Sequence, residues 1–211
     1  MAEECSVDGF PGTVSLLGNP EILKRRKIGL ICSVKCPGSI ILRTYDLMQS
    51  LRNENVAVVS GFHSPMEREC LNILLRGTCG IVLCPARSIP KRIPSEFKQL
   101  IEDGRMLMLS PFDEKHKRPT SDASVLRNKL VAALADMVFV PYASPGSKTE
   151  ELCKEIIGWG KALYTFDSEY NAGLMEMGAQ AVTTVSLIRE YQHNTSSLIR
   201  QNTDVEEMEC R

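Results

Sequence analysis

The stretch VLRNKLVAALADMVFVPYASPGSKTEELCKEIIGWGKALYTF, residues 125–166, decides the fold. Up to Asp136, apolar residues recur every three or four positions, the spacing of a helix that lies on a sheet. Met137 to Pro141 is a short apolar run, typical of a central parallel strand that is covered on both faces. A small-residue turn follows, then a helix over Lys148 to Gly158 and a strand over Ala162 to Phe166. The stretch predicts a helix, strand, loop, helix and strand in succession.

The loop in this unit, Ala143 to Ser147, is the predicted binding site. Ligands of open parallel sheets lie outside the carboxyl ends of the strands, above helix N-termini. We expect the backbone N–H groups of Gly146, Ser147 and Lys148 to point into that crevice and to favour an anion such as phosphate. The alternative is that Ser147 only caps the helix and Pro145-Gly146 only forms a turn.

The composition favours one α/β domain. The chain has 211 residues, is 43% hydrophobic and carries a formal net charge of −1, so binding to a nucleic acid would need a local basic patch. It has eight cysteines but no signal peptide and no apolar run that could span a membrane. We therefore expect a cytoplasmic protein with free thiols and no membrane association.

Strands and helices alternate through most of the chain, which predicts a Rossmann-like three-layer sandwich with a mostly parallel sheet over residues 16–184. Met1 to Gly12 has no periodicity and is expected to form a flexible arm or a short edge segment, and residues 1–15 are taken together as the N-terminal arm. Leu16 to Leu23 is expected to be a turn followed by a short helix. Residues 185–211 are expected to form a C-terminal helix and an acidic tail.

Further candidate ligand contacts follow the first two predicted strands. Ser33 and Lys35 lie after the first strand, and Ser60, Gly61 and His63 lie after the second. For His63 the default interpretation is a partly buried loop residue that hydrogen bonds to backbone, and a ligand contact is the alternative. No G-x-G-x-x-G fingerprint is present, so we expect no dinucleotide cofactor.

Arg127 is the residue most suited to hold a phosphate, because a guanidinium binds phosphate bidentately. It lies with Asn128 near the start of the helix that precedes the central strand. Its alternative is a surface salt bridge to Asp122 or Asp136. The segment Lys115 to Arg118 is a candidate basic loop near the crevice, although a solvated surface loop is the default.

The cysteine spacing does not favour a metal site. Cys32 and Cys36 are separated by three residues and Cys79 and Cys84 by four, without a paired C-x2-C arrangement. We expect no metal, and Cys32 and Cys84 are read as small core residues at strand ends.

The order of these motifs resembles the Rossmann-like core of the DNA-processing protein A (DprA/Smf) family, over roughly Leu16 to Val182. The resemblance rests on the segments Gly18 to Leu23, Ile28 to Cys32, Ser60-Gly61, Leu107 to Ser110, Arg127 to Asp136, Gly146-Ser147 and Gly160 to Tyr164. It implies a homodimer that binds single-stranded DNA at the strand carboxyl ends and helps to load a RecA-type recombinase during DNA uptake, that is, natural transformation.

Carried over by position, the resemblance assigns Ser60 and Gly61 to the S-G after the second strand, and Arg127 and Asn128 to the R-N pair. It also places Ser147 in the loop that contacts phosphate. The family's G-S-R after the first strand is replaced here by Cys32-Ser33-Val34, so Lys35 is the nearest cation. The G-I-D after the second strand is replaced by Pro65-Met66-Glu67.

The same region is also similar to the Lonely Guy family of nucleoside-monophosphate phosphoribohydrolases. Ser144 to Leu152 reads S-P-G-S-K-T-E-E-L, which keeps an acid pair but lacks the glycines of that family's motif. Under this reading Glu151 is the catalytic carboxylate and Arg127 holds the phosphate of a nucleotide. A third reading is a nucleotide-sensing domain that signals to another protein.

Overall fold

Buried apolar strands alternate with helices throughout the computed structural model, which describes residues 3–183. The strands are β1 (Glu3–Ser6), β2 (Thr13–Gly18), β3 (Arg26–Leu30), β4 (Val56–Ser60), β5 (Gly80–Leu83), β6 (Met106–Ser110), β7 (Met137–Phe139), β8 (Leu163–Phe166) and β9 (Gln180–Val182). The helices are α1 (Gly38–Leu51), α2 (Pro65–Leu75), α3 (Ser95–Glu102), α4 (Ser121–Leu134), α5 (Lys148–Gly158) and α6 (Ala172–Glu176), with 3₁₀ turns at Pro20–Lys24 and Glu169–Asn171. Of the two units into which the chain divides, Met1–Ala181 and Val182–Arg211, the first contains every element that forms the site.

The sheet has the order β1-β2-β6-β5-β4-β3-β7-β8-β9. The neighbours from β6 through β8 pair in parallel, whereas β2 runs antiparallel to β6 and β1 antiparallel to β2. The chain moves outward from β3 through β4 and β5 to β6, then returns to β7 on the other side of β3. The strand order therefore reverses between β3 and β7, the position where open α/β sheets place their ligands.

Helices cover both faces of the sheet. Right-handed crossovers place α1, α2 and α3 on one face and put α4 and α5 on the other, because the direction of winding changes after β6. Consistent with this, α1 packs against α2, and α4 packs against α5 and against β3 and β4. The predicted three-layer α/β sandwich with a mostly parallel sheet is confirmed.

The central strands pair in a register that buries their apolar residues. Ile28 of β3 lies opposite Val58 of β4 and Met137 of β7, and none of the three side chains is more than 2% exposed. Every residue of β4 is buried. Such strands have no polar face because helices cover both sides of the sheet.

The N-terminal expectation is wrong for Leu16 to Gly18, which was expected to be a turn and belongs to β2. Of the two alternatives for the first residues, the structure has the short edge segment, because β1 pairs with β2 at the edge of the sheet. β2 forms backbone hydrogen bonds with β6, which is distant in sequence. A local apolar pattern does not predict such pairing. The helix and acidic tail expected over 185–211 lie outside the described residues. Within those residues, no helix is long and apolar enough to cross a bilayer.

Lys161 closes the C-terminal end of α4. Its ammonium group donates hydrogen bonds to the carbonyl oxygens of Ala132 at 2.5 Å, Ala133 at 3.0 Å and Ala135 at 2.6 Å. These carbonyls have no partner inside their own helix, and the negative end of the helix dipole favours a cation. Burial lowers the pKa of Lys161, and the nearby Asp136 carboxylate opposes that effect. Lys161, two residues before β8, therefore caps the helix that precedes β7.

Replacement of Lys161 by Met should lower the free energy of unfolding by about 1 kcal/mol, because the carbonyls at the end of α4 lose a charged donor while the aliphatic packing is kept. Urea denaturation measures the effect. Lys154→Met is the matched control, since Lys154 is exposed and lies 3.9 Å from Glu150. Equal midpoints for the two variants would contradict the assigned capping role.

Candidate functional site

A crevice of about 460 Å³ lies at the carboxyl ends of β3 and β7, where the strand order reverses. The loop after β3 contributes Ser33 and Lys35, and the loop after β7 contributes Ser144 and Ser147. α4 forms the opposite wall with Arg127 and Asn128, and the loop after β4 adds His63. Residues from distant parts of the chain therefore meet at one edge of the sheet.

The two serine-bearing loops are bonded to each other. Ser33 donates its backbone N–H to the carbonyl of Tyr142 at 3.1 Å, and the Ser33 hydroxyl oxygen accepts the N–H of Ser144 at 2.9 Å. The hydroxyls of Ser33 and Ser147 are 3.4 Å apart. This places the hydroxyl groups of both loops together at the bottom of the crevice, where they are able to donate to an anion.

Glu67, at the third position of α2, joins two of the strand-end loops. Its side chain is buried, and one carboxylate oxygen accepts the backbone N–H of Cys32 at 3.0 Å. The other oxygen accepts the N–H groups of His63 at 2.9 Å and Ser64 at 3.1 Å. The Ser64 hydroxyl in turn accepts the N–H of Glu67, which completes a capping box. One carboxylate thus fixes the loops after β3 and β4 relative to each other.

Arg127 is a buried cation and is only 4% exposed. Its Nη1 donates to the carbonyl of Cys84 at 3.3 Å, and its Nε has no hydrogen-bond partner among the described residues. Burial lowers the pKa of the guanidinium, whereas the neighbouring Glu67 carboxylate raises it. Arg127 therefore lies in the wall of the crevice rather than extending into solvent, and the nearby Glu67 carboxylate favours its charged form.

Position 61 requires a glycine because the Arg127 side chain packs directly against its backbone. A Cβ atom at Gly61 would lie 0.6 Å from Nη1 of Arg127 and 1.8 Å from its Cζ. No side chain fits at this position while the guanidinium remains in place. Gly61 of the S-G motif and Arg127 of the R-N motif are thus in direct contact, which joins the loop after β4 to α4.

A larger hollow of about 830 Å³, the central cavity, lies beside the crevice and shares His63 and Arg127 with it. Its wall includes Phe62, the sole non-glycine residue within 3–183 with a positive φ, at 46°. Phe62 donates its N–H to the Ser60 hydroxyl at 3.2 Å, and this bond holds the tight exit of the chain from β4. Such strained positions are concentrated at binding sites.

Most of the predicted ligand contacts meet in the crevice, whose lining includes Ser33, Lys35, His63, Arg127, Asn128, Ser147 and Lys148. Ser60, Gly61 and Gly146 do not line it. Ser60 is fully buried, and Gly61 borders the central cavity. The expectation that backbone N–H groups at this turn are free to bind an anion is wrong for two residues. The Gly146 N–H donates to the Glu150 carboxylate, and the Ser147 N–H donates to the carbonyl of Ser144.

The structure also distinguishes between the alternative roles considered for Arg127, His63 and Ser147. Asp122 pairs with Lys148 at 3.2 Å and Asp136 pairs with Lys27 at 3.0 Å, so the surface salt bridge considered for Arg127 is wrong. His63 is exposed at the mouth, and its backbone N–H bonds to Glu67. Ser147 does cap α5, since its hydroxyl accepts the N–H of Glu150. Capping and lining the crevice are compatible roles for this side chain.

Glu151, the catalytic residue of the hydrolase reading, does not line the crevice. It is exposed and lines a separate hollow between α4 and α5, together with Lys129 and Glu155. Its neighbour Glu150 accepts the N–H of Gly146 at 2.9 Å. Neither Glu150 nor Glu151, the acid pair of the hydrolase motif, therefore lines the crevice.

Sequence reasoning missed two features of the site. The first is the role of Glu67, although the spacing S-x-x-E over Ser64 to Glu67 is itself a signal for a capping box. The second is a thiol pair: the Cys32 thiol hydrogen bonds to Cys36, which raises the pKa of Cys32 and lowers that of Cys36. Spacing alone carried no sign of it. The cysteines within 3–183 are all free thiols.

Comparison with protein-family models matches residues 4–192 to DNA recombination-mediator protein A. The chain belongs to this family. Comparison with functionally curated proteins finds no match.

Solved structures of low sequence identity share the fold. DNA processing protein A from Helicobacter pylori, which was studied for its single-stranded DNA binding mode, is 20% identical with a TM-score of 0.75, over 92% of this chain and 96% of that one. DNA processing protein A from Streptococcus pneumoniae is 21% identical with a TM-score of 0.68, over 82% of this chain. This chain spans only 64% of the Streptococcus pneumoniae protein.

A further likeness extends beyond this family. The molybdenum cofactor carrier protein from Chlamydomonas reinhardtii is 10% identical with a TM-score of 0.57, over 82% of this chain and 99% of that one. At this identity the likeness concerns the fold alone. One architecture thus accommodates different ligands, and the ligand has to be argued from the side chains at the site.

Replacement of Gly61 by Ala should displace Arg127 and lower the free energy of unfolding by roughly 2 kcal/mol or more. In an Arg127→Ala background the same change should cost much less, because the atoms that the new Cβ meets are gone. A double-mutant cycle in urea should give a coupling of about 1 to 3 kcal/mol. Additive effects would show that the two positions do not contact each other.

Among the cysteines of residues 3–183, Cys36 should be alkylated first by iodoacetamide at pH 8. Its lowered pKa gives it more thiolate than the buried thiols of Cys70 and Cys84, whose pKa values burial raises. Peptide mass spectrometry in a Cys210→Ser background measures the order of labelling. Cys32→Ala, which removes the donor, should slow the labelling of Cys36 if the thiol hydrogen bond lowers its pKa, and an unchanged rate would refute that cause.

Proposed function

We propose that this member of the family binds single-stranded DNA by holding a backbone phosphate in the crevice. The observation that carries this proposal is the convergence of Ser33, Ser144 and Ser147 with Arg127 at the reversal of strand order. Hydroxyl donors and a nearby cation at strand carboxyl ends are the groups that hold phosphate in folds of this class. Membership of a DNA-processing family supports DNA as the carrier of that phosphate.

The charge at the mouth of the crevice favours the same ligand. Lys35 is exposed, and its ammonium group has no ion-pair partner among the described residues. Lys148 is also at the mouth but is 3.2 Å from the Asp122 carboxylate, which offsets part of its charge. Because the chain has a net charge of −1, these local cations rather than a global field would attract a polyanion.

The biological setting follows from the family resemblance. We propose that the protein acts in the cytoplasm as a homodimer and supports recombination or DNA uptake, with a RecA-type recombinase as partner. Free thiols in residues 3–183 are compatible with a reducing compartment. The phosphoribohydrolase reading has less support, because Glu151 does not line the crevice.

Fluorescence anisotropy with a labelled single-stranded oligonucleotide, measured at two salt concentrations, tests the proposal. Lys35→Gln should weaken binding roughly threefold to tenfold and reduce the salt dependence by about 0.7 in log–log slope, because one phosphate contact is lost. Ser147→Gly, which removes the hydroxyl, should weaken binding without changing the slope.

Lys154→Gln is the control, since it removes a charge from the exposed side of α5 away from the crevice. It should bind as the wild type does. An unaltered protein that does not bind at low salt, or equal affinity for Lys35→Gln and wild type, would refute phosphate binding in the crevice. Release of free base from AMP would instead revive the hydrolase reading.

A further inference from the structure

We propose that the single strand continues from the crevice along a groove over the carboxyl ends of β4, β5 and β6. The groove comprises the central cavity and a basic rim beyond it, formed by residues 84–94 and 111–120. This inference rests on the proposed function, because it concerns the nucleotides next to the one whose phosphate occupies the crevice. The rim would contact the backbone, and aromatic side chains of the cavity would contact bases.

The two loops of the basic rim form one surface. The Ser88 N–H donates to the carbonyl of His116 at 2.9 Å, and the Ser110 hydroxyl donates to the carbonyl of Arg87 at 2.8 Å. The side chain of His116 stacks on Phe112, with ring centroids 4.5 Å apart. These bonds join the exits of β5 and β6, so the basic groups on both loops keep fixed relative positions.

The basic rim concentrates positive charge in a chain that is nearly neutral overall. Its two acidic residues already have partners: Asp113 accepts the N–H groups of Lys115 and His116, and Glu114 pairs with Lys91 at 3.3 Å. The loops carry six exposed basic side chains, namely Arg87, Lys91, Arg92, Lys115, Lys117 and Arg118. Such an excess of positive charge along a surface matches the repeating charge of a phosphate backbone.

Shared walls connect the basic rim to the crevice. His63 and Arg127 border both the crevice and the central cavity, and Arg87 borders both the central cavity and an outer hollow of about 390 Å³ that includes Lys91 and Lys117. With strands about 4.8 Å apart, the path from β3 to β6 is roughly 15 Å long. One groove thus runs along the edge of the sheet.

The central cavity has the composition expected for unpaired bases. Phe97 and Tyr45, which are partly exposed, line it together with the exposed Arg68 and Arg87, whereas Phe62 is buried in its wall. Aromatic rings and guanidinium groups stack on every base, which gives affinity without sequence preference. Duplex DNA, whose bases face each other, would gain nothing from these side chains.

Two oligonucleotide lengths separate the groove from the crevice. A labelled strand of roughly four nucleotides reports on the crevice, and one of roughly twenty reports on both. The triple variant K115Q/K117Q/R118Q should bind the short strand as the wild type does. It should bind the long strand roughly tenfold more weakly, with a log–log salt slope reduced by about 2.

The matched control is K24Q/R25Q/R76Q, which removes the same charge at the opposite ends of the strands, before β3 and before β5. It should bind both lengths normally. Three outcomes would refute the proposed groove. They are equal losses of affinity in the two triple variants, an unchanged affinity of the rim variant for the long strand, and a preference for duplex over single-stranded DNA. Failure of the unaltered protein to bind even the short strand would refute the proposed function itself, whatever the rim variant does.

Discussion

The site depends on the buried carboxylate of Glu67. Three backbone amides from the loops after β3 and β4 donate hydrogen bonds to its two oxygens. Its negative charge also raises the pKa of the nearby Arg127 guanidinium. A buried carboxylate is costly unless donors and an opposite charge surround it. Here those donors are the backbone of the loops that border the crevice. The hydrogen bonds that Glu67 accepts therefore hold the two loops in fixed positions beside the crevice.

Arg127 links this local network to the topology of the sheet. It reaches from α4, which covers one face, across Gly61 at the end of β4, to the carbonyl of Cys84 at the end of β5. The position was singled out as a phosphate ligand, and it does border the crevice. Its main contacts are nevertheless with the protein. Under the proposed function Arg127 would be a fixed source of positive potential, and the hydroxyls of Ser33 and Ser147 would contact the phosphate.

The sequence predicts those parts of the fold that local chemistry controls. α5 has the predicted bounds, Lys148–Gly158, because a small-residue turn and Ser147 as N-cap define its start. β2 could not be predicted in this way, since its strand character depends on pairing with β6. The same holds for the site. Gly61 and Arg127 were each recognisable as motifs, but their contact is set by how α4 crosses the sheet, which spacing along the chain does not encode.

The rigidity of Arg127 has a consequence for the thermodynamics of recognition. A mobile surface arginine loses rotamer freedom when it grips a ligand, at a cost of roughly 0.5 to 1.5 kcal/mol for a flexible side chain. Arg127 is 4% exposed and held against Gly61 before any ligand arrives, so that entropy is lost when the chain folds. If the crevice binds an anion as proposed, the guanidinium would act on it as a permanent part of the scaffold, and association would not have to await its reorientation.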